Sequence, residues 1–206
     1  MKKLFLCLMF LLYGCSLPIT YNDTHQPKNP NANLLPALHT KVNTQNLKAV
    51  FSDITNDKKK PDYNMRNMIA DDAVNIFERE VEENITTGSG VKKGYISLRI
   101  QYVQLNHSFG YRAATIASLG LLSVVGVPVD KYTQTMEVEV EIADNRQAVI
   151  KRYTEVVESS AYHAFYWGYK RPEINRKVAA DNMKKAMAAI SKKINADAPE
   201  IKKSLK

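Results

Sequence analysis

The side chains that most often carry enzyme chemistry are scattered along this sequence. The histidines stand alone and form no HxxxH or CxxC arrangement, so no metal site is predicted (His25, His39, His107 and His163). The acidic pairs Asp71-Asp72 and Glu82-Glu83 lie on a predicted helix, where adjacent carboxylates point apart and are typical of solvated charges. No Gly-x-Ser-x-Gly elbow, Walker sequence or cysteine nucleophile is present. We therefore expect a protein that is not an enzyme and needs no metal or cofactor.

A glycine-rich segment, Gly88-Ser-Gly90-Val-Lys-Lys-Gly94, has some similarity to a phosphate-binding loop. Its third glycine comes one residue too late, and the segment follows a predicted helix where a dinucleotide-binding loop would follow a strand. The segment is therefore predicted to be a turn.

Chemistry is indicated most clearly at Cys15, by the residues that precede it. The chain begins MKKLFLCLMFLLYGCS, with a positive end at Lys2 and Lys3, nine apolar residues in 4–12, and Leu12-Tyr13-Gly14 before the cysteine. This pattern resembles the lipobox of bacterial lipoproteins. The alternatives are an ordinary secretory signal peptide and a short membrane anchor, although nine apolar residues are too few for a spanning helix, which needs about 20.

The lipobox resemblance implies what happens to Cys15. A signal peptidase removes residues 1–14, and a diacylglycerol and an amide-linked acyl chain such as palmitate are attached to Cys15, because two or more chains are needed for stable anchoring. Ser16 stands where an aspartate would retain the protein in the inner membrane, so the resemblance implies the periplasmic face of the outer membrane, with exposure at the cell surface left open. Nucleic acid is excluded as a partner by this location.

Composition fits one globular domain behind a tether. Apolar residues make up 45% and charged residues 24%, which argues against general disorder. Because Cys7 leaves with the signal peptide and Cys15 is acylated, no disulfide is expected. The net charge of +8 is concentrated in 165–206, which holds eleven basic and four acidic residues. This end is either a solvated helix face or a surface that contacts anionic lipid or an acidic protein.

Sequence patterns divide the chain into a lipidated tether at 15–46, a domain at 47–195 and a basic tail at 196–206. The tether is predicted from its prolines among Asn and Thr, at Pro18, Pro27, Pro30 and Pro36. Apolar residues repeat at the spacing of an amphipathic helix over 63–84 and 174–194. Alternation predicts strands at 95–105, with a bulge near Tyr102, at 133–142 and at 148–160, and a short β-branched run predicts a first strand at 48–55.

These elements predict an α+β fold. We expect a mixed sheet of about four strands with two amphipathic helices on one face, in the order β-α-β-(apolar insert)-β-β-α. The order weakly resembles envelope lipoproteins with a TolB-N-terminal-like fold, among them the penicillin-binding-protein activators and the periplasmic domain of the curli secretion lipoprotein. That resemblance rests on element order, so it implies no functional residues.

The apolar insert, residues 113–129, is seventeen uncharged residues long and reads AATIASLGLLSVVGVPV. Three interpretations are open: a helix or hairpin buried on the domain, a loop that enters a membrane or contacts a partner, and a strand of a membrane-inserted oligomer. Exposure of its large apolar side chains would favour the second or third, since large exposed apolar patches usually mark interaction sites. These side chains are Leu119, Leu121, Leu122, Val124 and Val125.

An aromatic cluster precedes the second helix and consists of Tyr162, Phe165, Tyr166, Trp167 and Tyr169. It either closes the end of the core or contacts a partner or membrane. Its candidate contact residues are Tyr166, Trp167, Lys170 and Arg171. Taken together, the sequence favours a non-enzymatic outer-membrane lipoprotein that acts as a binding or scaffold module for another envelope component, an envelope protein being the expected partner. The alternative is a subunit of a membrane-inserted secretion or transport assembly.

Overall fold

A computed structural model describes residues 33–52, 63–165 and 171–205. The predicted signal peptide, Cys15, most of the tether, and Tyr166, Trp167 and Lys170 lie outside these residues. The elements, in chain order, are β1 (His39–Val42), α1 (Thr44–Val50), α2 (Tyr63–Glu80, followed by a π-helical turn, Val81–Ile85), β2 (Tyr95–His107), α3 (Phe109–Ala117), α4 (Leu121–Val124), β3 (Asp130–Ala143), β4 (Val149–His163) and α5 (Arg171–Ser204).

The strands form one mixed sheet in the order β1-β2-β3-β4. β1 is parallel to β2, whereas β2, β3 and β4 are antiparallel neighbours. Helix α5 packs on β3 and β4 and against α2, and apolar residues of both helices share one core with the sheet. The predicted α+β class and element order are confirmed.

The strand β3 shows why the pattern was readable. Its inner residues Met136, Val138, Val140 and Ile142 are fully buried, while the residues between them lie on the opposite face. On that face Glu139 is also buried, with its carboxylate 3.8 Å from Arg99 and 3.7 Å from Arg152. The predicted bulge is confirmed, because the register of β2 against β3 shifts between Ile100 and Tyr102.

The first strand was predicted at the wrong place. The described part of 48–55 is helical or follows a helix, and β1 lies at His39–Val42, inside the predicted tether. β1 is mostly exposed and held by pairing with β2, so it carries no apolar alternation. In α1, Leu47 and Phe51 are buried four residues apart, which is helical spacing, and the Asn43 side chain accepts from the Asn46 N–H at 3.0 Å as a cap.

The folded domain therefore begins earlier than residue 47. Leu35 is fully buried and forms a bridge with Thr86, next to the π-helical turn. Its N–H donates to Ile85 O at 2.8 Å. Residues 33–46 thus belong to the fold, and the tether can comprise only the residues before them.

The second helix also extends beyond its predicted end. α5 continues to Ser204, so the predicted basic tail at 196–206 is helical through most of its length, with Pro199 inside the helix. Ala198, Ile201 and Leu205 are buried and continue the apolar face at three- and four-residue spacing. Packing of this face outweighs the loss of one backbone hydrogen bond at the proline.

Gly94 closes the predicted turn, and the space around it explains why glycine is needed there. A Cβ atom at this position would lie 2.3 Å from Ala143 O and 2.9 Å from Leu205 Cδ2. The Gly94 carbonyl also accepts from His39 N–H at 2.8 Å, which fixes the backbone against β1. Position 94 therefore lies against the end of β3, the end of α5 and the start of β1, and no side chain fits between them.

We expect Gly94→Ala to lower the free energy of unfolding by about 2 kcal/mol, because overpacking forces the backbone or its neighbours to move. Urea denaturation of the purified protein would measure the change. Gly110→Ala is a matched control, since its Cβ would meet only Ser108 Oγ at 3.9 Å. Equal midpoints for Gly94→Ala and Gly110→Ala would contradict the close approach at position 94.

Candidate contact site: the apolar insert

The apolar insert folds as two short helices between β2 and β3. Helix α3 begins after Ser108, and the chain turns at Leu119 and Gly120, which both have positive φ, before α4. Gly120 has a φ of 84°, which lies in the left-handed region. Glycine adopts this conformation at no steric cost because it has no Cβ atom. The insert is therefore a compact helical excursion in which none of the described residues is a strand.

The large apolar side chains of this excursion are exposed. Leu119 is 92% exposed, Val125 77% and Ile116 74%, and within residues 113–129 only Ser123 is buried. We define the insert patch as the exposed large apolar residues of α3, α4 and their turns: Phe109, Ile116, Leu119, Leu121, Leu122, Val124 and Val125. The interpretation of this segment as a buried core element is thus wrong, because an apolar run has the same pattern whether it is buried or exposed.

The insert carries almost no charge. Between Phe109 and Val129 the one charged residue is Arg112. Among the described helices, none combines the length and the apolar character that crossing a membrane requires. An apolar patch without carboxylates is therefore presented at the surface on short helices.

An ion pair between the half-exposed Arg112 and the buried Asp130 fixes the base of the insert to the sheet. Arg112 Nε donates to Asp130 Oδ2 at 2.7 Å, and Asp130, the first residue of β3, is fully buried. His107 Nδ1, at the end of β2, lies 3.5 Å from the same oxygen and 3.2 Å from an Arg112 nitrogen. The hydrogen bond to Asp130 raises the pKa of the Arg112 guanidinium. Arg112 therefore ties α3 to the two strand ends that flank the insert.

Aromatic rings form a second attachment at the base. The rings of Tyr111 and Tyr162 meet edge to face with centroids 5.8 Å apart, and Lys131 Nζ lies 5.8 Å from the Tyr162 ring centre. The side-chain hydrogen bond with Tyr162 raises the pKa of the Tyr111 hydroxyl. The end of β4, where the predicted aromatic cluster begins, is thus placed beside the insert.

The predicted contact residues are only partly brought together. Leu119, Leu121, Leu122, Val124 and Val125 share the insert patch, and Phe165 is also exposed. Tyr166, Trp167 and Lys170 lie outside the described residues, and Arg171 begins α5 with its side chain not described. The role of these four residues stays a prediction.

The basic excess of the last helix is largely paired with nearby carboxylates or carbonyls. Arg176 makes two hydrogen bonds to Asp72 of α2, at 2.5 and 2.8 Å. Lys193 lies 2.5 Å from Glu155 of β4, and Lys185 donates to the Glu158 carbonyl at 2.8 Å. These cations join α5 to its neighbours, which favours the interpretation of a helix surface that serves the fold over that of a contact surface.

Elsewhere the described surface has a groove of 670 Å³ with a mixed polar and apolar lining, bounded by residues 41–47 and 97–100 and by Glu141. In the described part of the chain no three His, Cys, Asp or Glu residues are grouped as a metal site. Sequence reasoning missed Arg112 and Asp130, the residues that position the insert. The sequence did contain an indication of this pair: Arg112 is the one charged residue between Phe109 and Val129, and the carboxylate of Asp130 follows directly.

Comparison with known proteins gave little. No family model and no curated protein matches this chain. One similar solved structure is described as a "putative lipoprotein from Caulobacter crescentus CB15"; it is 12% identical, with 76% of this chain and 95% of that chain covered and a TM-score of 0.31. A likeness this weak assigns neither a fold nor a function to this chain.

Proposed function

We propose that this protein is a non-enzymatic lipoprotein of the bacterial outer membrane, anchored through Cys15, whose domain binds another component of the cell envelope through the insert patch. The observation that carries the proposal is the exposure of the patch side chains on a helical excursion. The lipobox pattern before Cys15 supplies the anchor and the location.

The exposed side chains of the insert patch would gain free energy if a partner buried them. Burying one Leu, Ile or Val side chain contributes about 1.5 to 3 kcal/mol relative to leaving it in water. Neighbouring patch residues, such as Leu119, Leu121 and Val125, leave this contribution unused in the isolated domain. Exposed apolar surface of this kind usually marks a binding surface, because it otherwise promotes aggregation.

The base of the insert supports the same proposal. The Arg112–Asp130 pair and the Tyr111–Tyr162 contact hold α3 in one orientation on the sheet. A surface that is already ordered loses less conformational entropy when it binds. The insert is therefore presented as a preformed contact element at the end of the sheet.

Photocrosslinking in intact cells tests the proposal. A photoreactive phenylalanine in place of Leu119 should form an adduct with an envelope component, whether protein or lipid. The same amino acid in place of Val156, which is exposed on the other face of the sheet, is the matched control and should form none. Equal adducts from both positions, or none from Leu119, would contradict a specific role for the insert patch.

A further inference from the structure

We infer that the insert patch enters the hydrocarbon of a phospholipid leaflet, so that the domain holds the membrane at two places, through Cys15 and through the insert. This inference rests on the proposed function and names what occupies its contact surface. It is carried by the hydrogen bonding, the charge and the layering of the insert.

The backbone N–H groups of the insert are paired inside the insert itself, as a medium without hydrogen-bonding partners requires. Every backbone N–H from Ser118 to Val127 donates within the insert: nine donate to carbonyls, and Leu122 N–H donates to Ser118 Oγ at 3.4 Å. The next donor, Val129 N–H, pairs with His163 O at 2.8 Å. In hydrocarbon each unsatisfied backbone group costs several kcal/mol, so the pairing of these donors lowers the cost of insertion.

The polar side chains of the insert are satisfied in the same way. Thr115 Oγ1 and Ser123 Oγ lie 3.4 Å apart, and Ser118 Oγ donates to Thr115 O at 3.2 Å. Ser123 is fully buried between the two helices. The outer surface of the turn is therefore aliphatic, while its hydroxyl groups face inward.

Charge is arranged so that no carboxylate would enter the leaflet. Asp130, at the base of the insert, is fully buried and paired with Arg112. The residue that follows it, Lys131, lies against Tyr162 at the same end of the sheet. A cation at this level would lie near lipid phosphates, where each basic group contributes about 1 kcal/mol.

The order of residue types also favours lipid over a protein partner. Leu119, the most exposed residue, lies at the turn between the helices, whereas the tyrosine contacts and the cations lie at the base. An aliphatic end with tyrosines and cations together at its base is the arrangement of an element at a membrane interface. Protein interfaces instead place aromatic residues and arginine at their centre.

The anchor can reach far enough for both attachments. Twenty residues separate Cys15 from Leu35, and a fully extended chain of that length spans at most about 70 Å. Leu35 precedes β1, which pairs with the start of β2, whereas the insert follows the end of β2, about 40 Å of strand away. A fully extended tether exceeds that distance, so the insert can meet the same leaflet that holds the acyl chains.

Depth-dependent quenching tests the inference on the mature acylated protein in vesicles of phosphatidylethanolamine and phosphatidylglycerol. Cys7 is removed and the Cys15 sulfur is alkylated, so Leu119→Cys supplies a single thiol for a fluorophore. Spin labels on the lipid acyl chains should reduce its fluorescence by roughly twofold or more, since interfacial helices place their apolar face in the acyl region. The same fluorophore on Val156→Cys should be unchanged.

The outcomes separate this inference from the proposed function. An unquenched probe at Leu119, together with a protein adduct from that position in cells, would overturn the lipid contact and leave the proposed function intact. An unquenched probe with no adduct in cells would overturn both. Equal quenching at Leu119 and Val156 would overturn the inference, because the whole domain would then lie against the membrane.

Discussion

Cys15→Ala, exported behind a secretory signal peptide that is cleaved without acylation in place of residues 1–14, should move most of the protein from the membrane fraction to the soluble fraction and abolish the mass added by acylation. The physical reason is that each buried methylene contributes about 0.8 kcal/mol, so two or three acyl chains hold the protein far more firmly than an insert of a few side chains. Cell fractionation with intact-mass spectrometry would measure both effects. This is the largest change expected from any single substitution in the chain.

Cys7→Ala is the matched control for Cys15→Ala. Cys7 lies in the segment that is removed, so its replacement by another small residue should leave anchoring and mature mass unchanged. An intact, unacylated amino terminus in the wild-type protein would contradict the anchor. A Cys15→Ala protein that forms rings or needs detergent would favour the alternative of a membrane-inserted assembly.

Arg112→Ala should lower the free energy of unfolding by about 3 kcal/mol, because removing one partner leaves a buried charge uncompensated. Asp130 would remain fully buried at the start of β3, with His107 Nδ1 at 3.5 Å as its remaining nearby cation when protonated. Urea denaturation of the purified variant would measure the loss.

The double variant Arg112→Ala with Asp130→Asn should recover much of that stability, because it removes the buried charge together with its partner. Lys151→Ala is the matched control: its side chain pairs with the partly exposed carboxylate of Asp197 and the exposed carboxylate of Glu200, so the expected loss is much smaller. Equal losses for Arg112→Ala and Lys151→Ala would contradict the role of the Arg112–Asp130 pair.

The parts of the fold that were predictable are those in which many side chains repeat a pattern. Helix α2 was predicted from residue 63 to 84 and extends through Tyr63–Glu80 into the π-helical turn, because its apolar residues follow one face. The slip of alternation near Tyr102 predicted the bulge in β2, since one extra residue moves every following side chain to the other face.

The parts that were missed depend on contacts distant in sequence. β1 has four residues and gains its place from pairing with β2, more than fifty residues later, so nothing within His39–Val42 marks it as a strand. The last helix was predicted to end at residue 194, whereas burial of Ile201 and Leu205 continues its apolar face and α5 extends to Ser204.

The candidate site shows the same limit. The seventeen uncharged residues identified the insert, but their composition is equally suited to a core helix and to an exposed patch. Which one forms depends on whether the sheet has room for it, and the inner face is already covered by α2 and α5. The Arg112–Asp130 pair could not be predicted for a related reason. It forms only because the end of β2 pairs with the start of β3.

Crosslinking from position 119 in intact cells tests the central claim most directly, since it asks whether the insert patch is covered where the protein works. We expect an adduct with lipid or an envelope protein from Leu119 and none from Val156, with the Leu119 adduct reduced in the Cys15→Ala background. A residue at position 119 that reacts only with water in acylated, membrane-bound protein would contradict a covered insert patch.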